Sequence, residues 1–192
     1  FFFLFFRYDR TPNEATQRHH QEDFCQALGV VPELKYQNEG GPSLAHCFAL
    51  VRQVTRPAAP QVLRLLDYVI FNALIGNHDA HAKNFSLLYN GLAPTVAPCY
   101  DLLCTAIYPT LSTKMAMKIG SKYTFDEVQA RHWLQFAHEA GLAKAQTQKR
   151  ILALAKAIPL AARQLQLDTQ CGFADNAVVT QIVALIEQRC AL

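Results

Sequence analysis

Apolar residues at helical spacing predict two consecutive helices in the first half of the chain. The first runs from Ser43, a favourable N-cap residue, to about Val54. The second runs from Gln61 to Ile75 and ends at Gly76. Its broad apolar stripe consists of Val62, Leu65, Leu66, Val69, Ile70, Ala73 and Leu74. We therefore expect the second helix to lie at the centre of the core.

Strand and turn patterns surround these helices. NFSLLYN and LAPTVAP, residues 84–90 and 92–98, flank the Asn90-Gly91 turn and predict a hairpin directly after the second helix. The alternation in KMAMKIG predicts a further strand. Before the helices, HHQEDFCQALG predicts a helix that Gly29 ends, and the apolar opening FFFLFF predicts a buried strand.

The last third of the chain is predicted to be helical. Thr124 with Glu127 resembles a capping box, and three helices follow, with breaks near Gly141, Pro159 and Gly172. The chain shows no repeat and no linker. The pattern as a whole predicts one mainly α domain with a small β-hairpin.

Composition narrows the class of protein. The 192 residues are 51% hydrophobic and 17% charged, which is enough for one sizeable core, and the net charge is only +3. Scattered Lys and Arg residues do not favour direct nucleic-acid binding. The apolar opening is too short to span a bilayer, so no membrane association is expected. Six cysteines without a C-x-x-C pair indicate reduced core thiols in a cytoplasmic protein.

The polar segment GNHDAHAKN lies between the core helix and the hairpin. Asp79 and Asn84 are five positions apart, and Asp101 follows the hairpin. Protein kinases place a proton-accepting Asp, a magnesium-binding Asn and a second, magnesium-binding Asp in this order. Spacing alone leaves another interpretation open, a solvated loop in which Asp79 caps a turn and Asn84 bonds to the backbone.

Longer segments carry a family resemblance. They are, in order, RYDR, HHQEDFCQALGVVPELKY, GGPSLA, LIGNHDAHAKNFSLLY, APCYDLL and KMAMKIG. They resemble the C-terminal part of HipA-type serine/threonine kinases, the toxins of bacterial toxin-antitoxin systems. The resemblance runs from residue 1 to about residue 142. It implies a kinase-like C-terminal lobe over 1–192, with a hinge strand at 1–10 and the catalytic loop, hairpin and metal-binding Asp within 76–103.

The resemblance also implies roles for individual residues, with ATP and Mg²⁺ as cofactors. Asp79 would be the catalytic aspartate, and Asn84 and Asp101 would hold magnesium. His81 and Lys83 would face the transferred phosphate, and Lys83 is the better charge match at neutral pH.

Three further residues are implied on the nucleotide side. Backbone groups around Phe6 and Tyr8 would face adenine, and Gln21 lies in a family signature near the nucleotide cleft. The sequence YDLL stands where ordinary protein kinases carry D-F-G.

An ATP-dependent kinase also needs a phosphate cover and a strand lysine, which normally precede the hinge. We therefore expect the N-terminal lobe to be absent from this chain and the isolated chain to be inactive. It would then be a fragment, a truncated gene product, or half of a split kinase that a separate N-lobe polypeptide completes.

Partners follow from the same resemblance. A protein substrate, such as a translation component, and a helix-turn-helix antitoxin are expected, with DNA contacted only indirectly. Two alternatives stay open: a catalytically incomplete antitoxin-binding module, and a metal-dependent phosphohydrolase that uses His78, Asp79, His81 and Asp101.

Overall fold

Helices and three small antiparallel sheets make up the chain, as a computed structural model describes it for residues 8–11, 14–168, 170 and 172–191. The helices are α1 (Phe24–Ala27), α2 (Leu44–Val54), α3 (Ala58–Ile75), α4 (Ala130–Glu139), α5 (Lys144–Leu167) and α6 (Ala177–Cys190). The strands are β1 (Arg10–Thr11), β2 (Glu14–Arg18), β3 (His20–Asp23), β4 (Ser86–Tyr89), β5 (Thr95–Val96), β6 (Lys114–Ile119) and β7 (Lys122–Thr124). The sheets have the orders β1-β2, β3-β4-β5 and β6-β7. The mainly α prediction is confirmed, although the structure contains more strands than one hairpin.

Helix α3 occupies the centre of the core, as its stripe predicts. It contacts α2, α5 and α6. It begins at Ala58, earlier than expected, because Pro60 falls in the first turn, where a backbone N–H has no intrahelical acceptor. Within the described part of the chain, α3 is also the one helix long and apolar enough to cross a membrane, and 56% of it is buried inside the protein. Its end at Gly76, with φ 83°, sets where the polar loop starts.

Residues 20–23 form a strand, so the predicted helix over HHQEDFCQALG is wrong in its first half. Strand β3 pairs antiparallel with β4, with Gln21 opposite Leu88. Only Phe24–Ala27 is helical, and the Asp23 carboxylate caps it by accepting from the Gln26 N–H at 2.9 Å. The pairing partner lies more than 60 residues later, where local periodicity carries no information.

The helical end differs from its prediction at two points. Helix α5 is continuous through Pro159. Buried residues before and after Pro159, such as Ile158 and Gln166, hold it against its neighbours, so packing outweighs the lost backbone hydrogen bond. The Thr124 side chain makes no capping bond, and Phe125–Glu127 is a 3₁₀ turn before α4.

Some sequence predictions fall on residues that the structure does not describe. The apolar opening with Phe6, most of the predicted hinge strand, and Cys171 lie outside the described residues. Among the remaining cysteines, Cys25 and Cys47 are buried, and none of the described cysteines is disulfide-bonded.

Candidate active site

The loop after α3 and the residue after the β4–β5 hairpin meet at one point. Asn84 ends a 3₁₀ turn, and its Nδ2 donates to Asp101 Oδ2 at 2.5 Å. The amide oxygen of Asn84 accepts from the His81 N–H at 3.1 Å. The hairpin thus returns the chain so that side chains 17 positions apart are in contact.

Asp101 has an unusual backbone conformation. Its φ is 55°, and no other non-glycine residue in the described ranges has a positive φ. This left-handed region costs a non-glycine residue on the order of 1 kcal/mol or more, although Asp tolerates it better than most. The Asp101 carbonyl accepts from Asn77 Nδ2 at 3.1 Å, which helps to hold this conformation.

The Asp79 side chain is held in place but accessible, with 42% of it exposed. Its Oδ1 accepts from the Tyr36 hydroxyl at 2.8 Å, and its Oδ2 lies 4.0 Å from His81 Nε2. Burial, followed by the bond to Asp79, raises the pKa of Tyr36 to about 12, so the hydroxyl remains a donor at neutral pH. Asp79 lines a cavity of about 530 Å³ together with Tyr36, Leu103 and Leu111.

The pKa of His81 is affected by both acidic residues of the site, Asp79 and Asp101. It is buried, and burial lowers its pKa, while the carboxylates of Asp79 and Asp101 both act in the opposite direction. Its Nε2 lies 4.0 Å from Asp79 Oδ2, and its backbone N–H donates to Asn84, the partner of Asp101. Its Nδ1 has no hydrogen-bond partner among the residues that the structure describes.

Lys83 lies beside this group without bonding to it. Its ammonium makes no hydrogen bond or ion pair with Asp79, Asn84 or Asp101, all of which are described. Its backbone carbonyl accepts from the Tyr100 hydroxyl at 2.6 Å. The structure therefore fixes the Lys83 backbone, and its side chain has no acidic partner among these three described residues.

A buried amide network, which sequence reasoning missed, connects these parts. Asn77 is 4% exposed and donates from Nδ2 to Asn72 Oδ1 at 2.8 Å as well as to the Asp101 carbonyl. Its Oδ1 accepts from the Asp79 N–H at 3.2 Å. Tyr36 was also missed, since it lies 43 positions before its partner. The only available signal was an Asn beside the glycine that ends α3.

The predicted nucleotide side is partly described. Gln21 lies close enough to Tyr8 to lower the pKa of its hydroxyl, although burial, the larger effect, raises that pKa. Tyr8 also lies close enough to Tyr100 to influence its pKa, which burial raises first. Tyr8 is thus near both Gln21 of β3 and Tyr100, which follows the hairpin. Phe6 is outside the described residues.

The donor set at Asn84 and Asp101 fits magnesium. One carboxylate and one amide offer oxygen ligands, and Mg²⁺ sites usually combine one or two carboxylates with waters and substrate phosphates. Metal binding would replace the hydrogen bond between the two side chains, because an amide N–H cannot ligate a cation. Within the described residues, no group of three or more His, Cys, Asp and Glu side chains could hold a metal without such a substrate.

His78 does not support the phosphohydrolase alternative. Its Nδ1 lies 3.3 Å from the Ser112 carbonyl oxygen, and its Nε2 lies 2.8 Å from Arg189 Nη2. Both ring nitrogens are therefore engaged within the protein and are not free to bind a transition metal.

Comparisons with known proteins agree on one family. The sequence model of the HipA-like C-terminal domain matches residues 1–162. "Putative kinase Y4mE" of Sinorhizobium fredii is 46% identical over 188 residues, which cover 97% of this chain and 45% of that protein. The serine/threonine-protein kinase toxin HipA of Shewanella oneidensis is 29% identical over 177 residues, which cover 84% of this chain and 40% of that protein.

A solved structure extends this agreement to the fold. The complex of Shewanella oneidensis HipA, HipB and operator DNA matches with a TM-score of 0.81 and 26% identity, over 96% of this chain and 46% of that chain. The chain thus spans about half the length of the relatives that it matches.

Proposed function

Because this chain belongs to the HipA-like C-terminal domain family, in which relatives are named as kinases, we propose that it is the catalytic lobe of a serine/threonine protein kinase. The reaction would transfer the γ-phosphate of ATP to a hydroxyl of a protein. The contact between Asn84 and Asp101 carries the proposal, because it joins two magnesium-binding residue types from separate segments.

Asp79 is proposed to orient the acceptor hydroxyl and take its proton. Tyr36 occupies Oδ1, so Oδ2 is the oxygen open to the incoming hydroxyl. The exposed fraction of the side chain and the adjoining cavity leave room for an acceptor segment. An ionised carboxylate in hydrogen-bond reach of the hydroxyl is what this step needs.

Asn84 and Asp101 are the proposed metal ligands. When bound, Mg²⁺ would supply positive charge that offsets the negative charge of the transferred group. His81 and Lys83 are proposed to face that group. The unpartnered Nδ1 of His81 supports a polar contact there, and the Lys83 ammonium has no acidic partner among the site residues.

ATP is proposed to bind on the side where Tyr8 and Gln21 meet. The proximity of Tyr8 to Gln21 of β3 supports this placement, and backbone groups around Phe6 and Tyr8 would face adenine. Residues 1–10 would serve as the hinge to an N-terminal lobe.

A toxin role with an antitoxin partner is proposed on the basis of the relatives. One relative is named as a kinase toxin, and the matching structure contains HipB and operator DNA. A helix-turn-helix antitoxin would make any DNA contact of this chain indirect. The sequence resemblance, and not the names of these relatives, implies a protein substrate such as a translation component.

Transfer of labelled phosphate tests the proposal. The protein carrying this chain with an N-terminal kinase lobe should label a Ser/Thr protein acceptor in the presence of ATP and Mg²⁺. EDTA should abolish the labelling. Labelling that persists in EDTA would contradict the proposed role of the metal, and metal-dependent release of inorganic phosphate from phosphomonoesters without ATP would favour the phosphohydrolase instead.

A further inference from the structure

We infer that Arg189, near the end of α6, is a positioning residue for the catalytic loop: it holds His78 and thereby the adjoining Asp79. The inference rests on the proposed phosphoryl transfer. It concerns a residue outside 1–162, the part of the chain that the family model matches.

The Arg189 guanidinium connects three separate segments. Nη1 donates to the Ala73 carbonyl in the last turn of α3 at 2.8 Å, and Nη2 lies 2.8 Å from His78 Nε2. The guanidinium carbon lies 4.3 Å from the centre of the Phe125 ring. A planar, multiply bonded guanidinium is suited to fix such segments relative to one another.

His78 is held at every polar group. Its N–H donates to Thr105 Oγ1 at 2.8 Å, and its carbonyl accepts from the Ala116 N–H at 2.7 Å. The Ser112 carbonyl can only accept, so Nδ1 carries the proton and Nε2 accepts from Arg189. The residue directly before Asp79 is thus fixed by four contacts, and Arg189 makes the one that comes from α6.

Charge supports this tautomer. Burial, and then the Arg189 cation, lowers the pKa of His78, so the ring is neutral at pH 7. Asp126 is the acidic group that acts on both side chains in the opposite direction. Protonation of Nε2 would remove the acceptor and place two cations in contact.

Helix α6 is itself fastened to the body of the protein. Arg163 of α5 donates from Nη2 to Glu187 Oε2 at 2.7 Å. At the start of the loop, a Cβ on Gly76 would lie 2.8 Å from Leu185 Cδ2. The helix that carries Arg189 therefore packs directly against the point where α3 ends and the loop begins.

A purely structural role is the competing explanation, because the bond to Ala73 also caps α3. The two roles separate in the variants Arg189→Met, which removes all donors, and Arg189→Lys, which keeps the charge. Arg163→Met is the matched control, since it removes an α5–α6 contact without touching the loop.

The test uses the phosphate-transferring protein and two readouts. The first is kcat and the KM for ATP; the second is the ¹⁵N NMR signature and titration of His78. In Arg189→Met we expect kcat to fall ~10-fold or more with KM for ATP nearly unchanged, because loop misplacement by about 1 Å can cost ~100-fold. The His78 pKa should rise, and its Nε2 should lose the signature of a bonded acceptor. Arg189→Lys should recover part of kcat, and Arg163→Met should retain both readouts.

Two outcomes would overturn the inference. One is an Arg189→Met protein with the kcat of Arg163→Met. The other is a loss of kcat while the His78 signature stays as in the wild type, which would indicate a structural role alone. If Arg189→Met fails to fold, Arg189→Lys decides by the same readouts. A wild-type protein without phosphate transfer would refute the proposed function instead, and the His78 signature would still show whether Arg189 holds the ring.

Discussion

Replacing Asn77 with Ala should destabilise the protein measurably, because this buried amide joins three parts of the site. Its side chain makes hydrogen bonds to Asn72, to the Asp101 carbonyl and to the Asp79 N–H. Each such bond contributes about 1 kcal/mol net, and more where the abandoned partner stays dry. Water can reach the Asp101 side of the network, since Asp101 is exposed, so we expect a total loss of about 2–3 kcal/mol.

The assay is thermal and urea unfolding of the variant beside the wild type. For a chain of this size, about 2–3 kcal/mol corresponds to a melting temperature lower by roughly 4–12 °C. Asn90→Ala is the matched control, because Asn90 is an exposed turn residue. A variant of Asn77 that melts within about 1 °C of the wild type would refute the reasoning, since three hydrogen bonds, one of them buried and two partly buried, cannot be lost at no cost.

Two other predictions concern the residues around the proposed base. Tyr36→Phe removes the hydroxyl bonded to Asp79 at 2.8 Å but keeps the ring, so kcat should fall by about tenfold with an unchanged KM for ATP. Tyr108→Phe, at an exposed position, is the control. A Tyr36→Phe protein with the same kcat as this control would contradict the prediction. Burial lowers the pKa of His78 and His81 in the folded state. When the pH falls below the unfolded-state pKa of about 6.5, the unfolded chain therefore binds more protons than the folded chain, and the free energy of unfolding should decrease. Above about pH 7 this contribution is constant. Urea unfolding between pH 5 and pH 8 measures it, and a free energy of unfolding that did not change with pH below 6.5 would show that the two rings are not buried.

Local patterns predicted those elements whose signals lie within one segment. Ser43 accepts from the His46 N–H at 3.3 Å and caps α2, as its position before an apolar stripe indicates. Helix α3 and its end at Gly76 followed from periodicity and one glycine. The β4–β5 pairing also followed from its turn residues, with Leu87 opposite Val96. These features depend on neighbours a few residues apart, which a sequence shows directly.

Long-range contacts could not be predicted in this way. Strand β3 forms because β4 offers it a partner, while HQEDF by itself is also a good helix start. Tyr36 and Arg189 contact the loop after α3 from segments 43 and 111 positions away, and no spacing rule connects them to it. At Pro159 a local signal gave the wrong prediction: proline usually ends a helix, but packing along α5 keeps the helix continuous there. The residue types at Asp79, Asn84 and Asp101 indicated the candidate site, whose role stays a prediction, and its supporting contacts required the fold.

Phosphate transfer by a completed protein tests the central claim most directly. The chain, joined to the N-terminal part of the Sinorhizobium fredii relative, should transfer labelled phosphate from ATP to a Ser/Thr protein acceptor, whereas a polypeptide of residues 1–192 alone should not. Asp79→Asn and Asp101→Asn should each reduce transfer by at least ~100-fold, because both remove a charge that the proposed transfer step requires. Both variants should melt near the wild-type temperature, because Asp79 is half-buried and Asp101 is exposed. Transfer that persists in Asp101→Asn, or a completed protein that folds and binds ATP with Mg²⁺ but transfers nothing, would contradict the account.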